Sequence, residues 1–378
     1  MMSGAVAGRH GQAGTAMTPP IAIACAPCRW GVDDVSNPHL PPWKRVLDEA
    51  AEAGFEGLEP GPHGFMPLDA GRLGHALDAR GLRIVAGTIF DDLVSPASRE
   101  ALLRQADAIC AVLAALPRPP GPGGRRSEAP YLTVMDWGHD ERDLAAGHSD
   151  RAPRLDGEAW DGLVATVRAI AVLARDRHGV RAVLHPHAGG FIEFADELAR
   201  VAADVPEDEA GLCLDTGHLD YAGMDPAGTI RLYADRVDYL HVKDIDAAKL
   251  ADVMGRRVRF FEACAEGVMV PIGRGRIDYA AVRRGLSEIG YGGTITIEQE
   301  RDPRDGGERS RTSPRAGSSS GRRASRAGHE RLQGARPHRH QGLARSAGAR
   351  VETRGRPGTI AAPSRRSARR STPERTRP

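Results

Sequence analysis

The sequence predicts an α/β protein built as a (β/α)8 TIM barrel, and three observations predict it. Short β-type runs alternate with helical patterns from residue 21 to residue 302, which is the rhythm of parallel βα units. Eight such runs with seven to eight intervening helices fit into about 280 residues, the size of such a barrel. Three apolar runs end abruptly in residues that bind divalent metals or move protons: Leu212-Cys-Leu-Asp-Thr-Gly-His218, Leu240-His-Val-Lys-Asp244 and Ile295-Thr-Ile-Glu298. Catalytic groups stand in this way at the carboxyl ends of barrel strands. A doubly wound open sheet is the alternative, but no Gly-rich dinucleotide fingerprint follows the first strand.

The elements follow in order. A first strand runs from Ile21 to about Cys28, and a helix from Pro42 through Ala53 is closed by Gly54. Gly57-Leu-Glu59 is the second strand, and after a Gly/Pro-rich loop Asp69 caps a helix reaching Arg80. Leu82 to Ile89 is the third strand and Pro96 to Leu116 its helix, ended by the breakers Pro117 to Gly124. Tyr131 to Asp136 is the fourth strand, with a helix from Asp156 to Arg177. Val180 to Leu184 and Phe191 to Ala203 form the fifth unit. Gly211 to Leu214 is the sixth strand, and Asp225-Pro226 opens a helix to Asp235, with Asp as cap and Pro first. Val237 to Val242 is the seventh strand, followed by helices at Lys249 to Ala265 and Tyr279 to Ile289; Thr294 to Ile297 is the eighth strand.

Composition divides the chain. With 40% apolar residues in 378, a real core can form. Residues 303–378, however, contain no aromatic residue and no lysine, so they cannot bury enough surface to offset their ordering entropy and read as a disordered Arg/Ser/Gly/Pro-rich tail. Most of the excess arginine lies there, so the net charge of +2 averages an acidic body with a basic tail. A barrel needs a last helix over strands eight and one, and no apolar periodicity supplies it after Arg301. The expectation is a reading frame shifted near Asp305; the competing reading is a genuine tail that binds nucleic acid through phosphate charge. Residues 1–20 read as a disordered leader without an apolar h-region. No run approaches the roughly 20 apolar residues that span a bilayer, so no membrane association is expected. Five scattered cysteines suit a reducing cytoplasm. Cys25 and Cys28 lack a second pair for zinc and read as buried strand residues.

The chemistry gathers at the strand ends. Asp215 ends the sixth strand, His218 follows three residues later, His241 ends the seventh and Glu298 the eighth. Donors from three consecutive strands on one rim point to a metal site. His185-Pro-His187 follows the fifth strand and should supply one ligand and one substrate contact. Lys243 faces the same side as His241 by the two-residue period. It is a candidate acid or base, its ordinary alternative being a salt bridge to Asp244 or Glu298. Glu59, Asp136 with Trp137, and Trp30 lie on the predicted rim as substrate-contact candidates. His63, His139 and His148 lie in loops and look solvated.

Residues from about Ile21 to Glu300 resemble the xylose isomerase-like barrel superfamily of sugar-phosphate isomerases, sugar epimerases and endonuclease IV. Four segments carry the likeness to its inosose dehydratase family: His185-Pro-His-Ala-Gly-Gly190, Leu214-Asp-Thr-Gly-His218, His241-Val-Lys-Asp244 and Pro271-Ile-Gly-Arg-Gly-Arg-Ile-Asp278. The resemblance implies Asp215, His241 and Glu298 as metal ligands, and His218 as the second residue of the Asp-x-x-His pair. The fifth-strand ligand is usually a glutamate, and here His185 stands in its place. That departure disfavours epimerisation, which uses two carboxylates, and favours elimination, with Lys243, His218 and His187 moving protons. The implied activity is removal of water from a polyhydroxylated cyclic ketone such as 2-keto-myo-inositol, with Mn2+ or Co2+ ahead of Mg2+. A sugar or sugar-phosphate isomerase or epimerase is the alternative. An endonuclease IV-type enzyme is the remote alternative: such enzymes take additional His and Glu ligands from the early strands, and here those strand ends offer mainly Glu59 and Asp136. The expected partners are a small polyol ketone or sugar and further copies of the chain, not nucleic acid.

Overall fold

A computed structural model describes residues 21–119 and 129–299. The leader, the tail, the absent last helix and the frame shift all fall outside those residues. Eight parallel strands form the barrel: Ala22–Cys25, Gly57–Leu58, Arg83–Ile84 continued by Ala86–Asp91, Tyr131–Asp136, Arg181–Leu184, Ala210–Asp215, Val237–Val242 and Thr294–Ile297. The third strand closes the ring. The Val85 amide donates to Leu58 O at 3.0 Å, while Val85 O accepts from the Tyr131 amide at 3.0 Å, so one residue joins both ends of the sheet.

The two-residue alternation produces two cores. Ala24, Val85, Tyr131, Val183, Cys213 and Tyr239 form a buried cluster that fills the lumen, where the Tyr131 and Tyr239 rings stack at 5.2 Å. A larger cluster, including Leu58, Ile109, Leu163, Leu198, Leu240 and Ile295, lies between strands and helices. Helix starts follow local chemistry. Asp69, Asp156, Asp225, Asp246 and Asp278 each accept backbone N–H bonds from the first helical turn, satisfying donors that have no partner within the helix.

Departures from the sequence reading have visible causes. The first strand ends at Cys25, and Cys28 lies in a 3-10 turn at Pro27–Trp30, half-buried rather than on the strand. The helix expected from Phe191 starts at Ala195, because the amides of residues 191, 193 and 194 are tied to Asp136 and Glu197. The helix expected over Lys249–Ala265 is two, Ala247–Arg256 and Phe260–Ala265, broken where Arg257 turns left-handed at φ 60°. Short helices at Asp140–Asp143 and Thr216–Tyr221, and an antiparallel pair of Asp244–Ile245 with Met269–Val270, had no periodic signal long enough to see. Among the described residues no helix is long and apolar enough to cross a membrane.

Candidate metal centre

The carboxyl ends of strands five to eight converge on one point. Single ligand atoms of His185, Asp215, His241 and Glu298 all lie within 4.8 Å of one another. Asp215 both caps and faces the cluster: its Oδ1 accepts the amides of Gly217 at 2.7 Å and His218 at 3.1 Å, opening the helix Thr216–Tyr221. That leaves Oδ2 turned inward, 3.7 Å from His185 Nε2 and 4.0 Å from His241 Nδ1. Gly217 is needed here, since a Cβ would stand 2.6 Å from the Lys243 Cβ. Thr216 Oγ1 donates to Lys243 O at 2.8 Å and thereby locks strand six to strand seven.

His241 is oriented from behind. Its Nε2 lies 2.8 Å from Glu59 Oε1, which also accepts the Tyr239 hydroxyl at 2.7 Å. The carboxylate holds the proton on Nε2 and presents Nδ1 to the cluster, 3.2 Å from Glu298 Oε2. Glu59 therefore stands beneath a cluster residue rather than on an open rim. His185 differs from every other polar residue of the barrel mouth, for both its ring nitrogens are buried without a hydrogen-bond partner. An orphaned polar group of this kind is costly unless something else satisfies it. Two imidazoles with inward-facing nitrogens and two carboxylates form a donor set that fits a divalent metal ion.

Lys243 is 3% exposed, and its Nζ lies 2.9 Å from Asp215 Oδ2 and also contacts Glu298. Burial by itself would raise both carboxyls, but Lys243 holds Asp215 and, with His241, Glu298 well below the usual carboxylate range. Lys243 does not pair with Asp244. That carboxylate instead accepts the amides of Ile245, Gly273, Gly275 and Ile277 at 2.8–3.2 Å and pins the loop 271–277.

His187 and His218 stack at 4.0 Å between ring centroids, beside the cluster. Burial depresses both well below the ordinary histidine value, so both rings are neutral near pH 7. One residue sets both tautomers. His187 Nδ1 donates to Ala188 O at 2.9 Å, while the Ala188 amide donates to His218 Nδ1 at 3.1 Å. His187 thus carries a lone pair on Nε2, and His218 carries a proton there. Burial works against the charged ring of His241, yet Cys213, Glu298 and Glu59 raise it well above the ordinary value.

The other rim candidates are engaged elsewhere. Asp136 accepts the amides of Leu93 at 3.1 Å and Phe191 at 2.7 Å and pairs with His139, so it straps loops together. The Trp30 indole N–H donates to Glu49 Oε2 at 2.7 Å, on the helix Trp43–Glu52, and walls nothing at the cluster. His139 and His148 are half-buried rather than solvated, and so is His63. The aromatic wall beside His187 and His218 comes from Phe90, Trp137, Phe260 and Phe261. Three of these were missed; Phe90 stands one residue before the end of the third strand, a signal that was present, whereas Phe260 and Phe261 arrive from a distant excursion.

The family model of the xylose isomerase-like TIM barrel matches residues 47–319, and the chain belongs to that family. An inosose dehydratase of Lacticaseibacillus casei is 27% identical over 290 residues, covering 75% of this chain and 91% of that one. Among solved structures, D-psicose 3-epimerase from Clostridium cellulolyticum shares the fold with a TM-score of 0.56 at 18% identity, covering 83% of this chain and 98% of that one. The IOLI protein, solved with a bound zinc atom, gives 0.54 at 13% identity, covering 74% and 90%.

Proposed function

We propose that this chain is a metal-dependent hydro-lyase that removes water from a polyhydroxylated cyclic ketone of the inosose type. The observation that carries the reading is the opposed pair of neutral imidazoles set by Ala188. Elimination next to a ketone needs a base that removes the α-proton and an acid that protonates the departing hydroxyl. His187, with its free lone pair, suits the first role, and His218, protonated on Nε2, the second. Asp215, Glu298, His185 and His241 would hold the divalent ion. Such an ion would polarise the ketone oxygen and stabilise the developing negative charge. Lys243 keeps both carboxylates ionised and lies 3.4 Å from His218 Nε2, where its charge helps to keep that ring neutral. Phe90 and Trp137, stacked at 5.3 Å, offer a flat apolar surface to the C–H face of a ring. The inosose dehydratase relative supports this choice of substrate.

Asp215→Ala and Glu298→Ala should each abolish both bound metal and dehydration of scyllo-inosose, read by elemental analysis and by absorbance of the enone product. Full activity with full metal in either variant would overturn the site. Isomerised ketose formed without loss of water would replace the reading by an epimerase.

A further inference from the structure

The two imidazoles of the centre face a second donor set. Cys213 lies two residues before Asp215 on the same strand and therefore on the same inward face, about 7 Å deeper in the lumen. Ligand atoms of His185, Cys213 and His241 lie within 4.8 Å of one another, and all three residues are buried. His185 is 2% exposed with neither ring nitrogen hydrogen-bonded, so the ring has a nitrogen for a ligand in either set. The upper set adds two carboxylates and suits hard ions such as Mn2+; the lower adds sulfur and suits thiophilic ones.

We propose that thiophilic ions of the zinc and cadmium class bind in a deeper register, held by His185, Cys213 and His241, which excludes the carboxylate register because both use the same two histidines. The proposal rests on the reading that His185 and His241 are metal ligands. A cysteine without a bound metal is a neutral thiol near pH 7. Binding exchanges the S–H bond for a sulfur–metal bond and releases the proton to solvent. An ion seated there lies below the carboxylates and away from the His187–His218 pair. Thiophilic ions should therefore inhibit by occupying the deeper register, while Mn2+ supports turnover.

The test loads the full metal-free chain with Cd2+, and separately with Mn2+, and follows ultraviolet absorption and calorimetry. Cd2+ should bind once per chain at this site with a sulfur-to-metal charge-transfer band and release of one proton. Cys213→Ser should lose the band and weaken Cd2+ binding by about tenfold or more, with Mn2+ affinity changed less than about threefold. Cys213→Ala serves as a second variant should the serine hydroxyl disturb the lumen. Cd2+ bound without the band, or a band that survives in both variants and so comes from another cysteine, overturns the deeper register alone. Failure of both Mn2+ and Cd2+ to bind overturns the metal centre itself.

Discussion

Two buried charged networks hang from the loop that follows strand five, and they are built on opposite plans. In the first, Arg142, Glu193 and Glu197 form a brace in which every carboxylate oxygen has a partner. Arg142 donates to Glu197 at 2.7 and 3.0 Å and to Glu193 at 3.4 Å. Glu193 also accepts the amides of Gly147 and Gly189, and Glu197 those of Glu193 and Phe194. Phe191 and Phe194 cover the guanidinium at 5.0 and 5.1 Å. In the second, neither ring nitrogen of His185 has a hydrogen bond and His241 Nδ1 has none. The difference separates scaffold from site. In the brace only Arg142 Nε is left without a partner and every carboxylate oxygen is engaged, which holds loops in place, whereas unpartnered imidazole nitrogens beside two carboxylates are arranged for something that arrives later.

The contrast can be broken at either end, starting with the brace. Arg142→Leu would take the buried guanidinium from both Glu193 and Glu197, leaving Glu197 only the partly exposed Arg154 as a cation, and should cost about 3–5 kcal/mol in urea unfolding, with metal stoichiometry unchanged in the folded fraction. A variant as stable as the parent would show that the brace carries nothing. The same surgery on the centre should behave in reverse. His185→Gln removes no hydrogen bond, so metal-free stability should shift by less than about 1.5 kcal/mol, while calorimetry should show metal affinity falling more than about 100-fold. Glu59→Leu takes the acceptor from His241 and Tyr239 and should weaken metal binding by about 10–100-fold, less than loss of a ligand. If His241 binds metal equally well without Glu59, orientation from behind is unimportant.

A last effect concerns pH. Burial pushes Glu193 up to about 8 from an ordinary 4.5, so the folded chain keeps a proton that the unfolded chain releases in that window. Its contribution to stability is therefore complete below about pH 4.5 and is lost as the pH rises towards 8. Glu193→Gln, a mimic of the protonated acid, should flatten that decline in urea midpoints measured across the window. An unchanged slope would assign the decline to other groups.

Much of the candidate metal centre was legible because strand periodicity and chain order are local. His241 and Lys243 share a face by the two-residue period, and both contact Asp215 or Glu298 in the structure. Asp215 read equally as a helix cap or as a cluster residue, and it is both, with one oxygen for each. Glu59, Asp136 and Trp30 read as weaker candidates on the same rim, each standing just past a strand. Their partners, however, come from far along the chain: Tyr239 lies 180 residues from Glu59, and Phe191 lies 55 from Asp136.

By itself, then, the sequence determined the barrel and the four strand ends that face one another, because apolar alternation sets which side chains point inward and parallel βα order sets which ends are neighbours. Tertiary structure alone decided which of the polar residues on that rim are already engaged. It also decided which nitrogen of His187 and of His218 carries the proton, and that Cys213 lies within reach of the imidazoles of His185 and His241. Those outcomes depend on hydrogen bonds between residues distant in the chain, and no local pattern encodes such bonds.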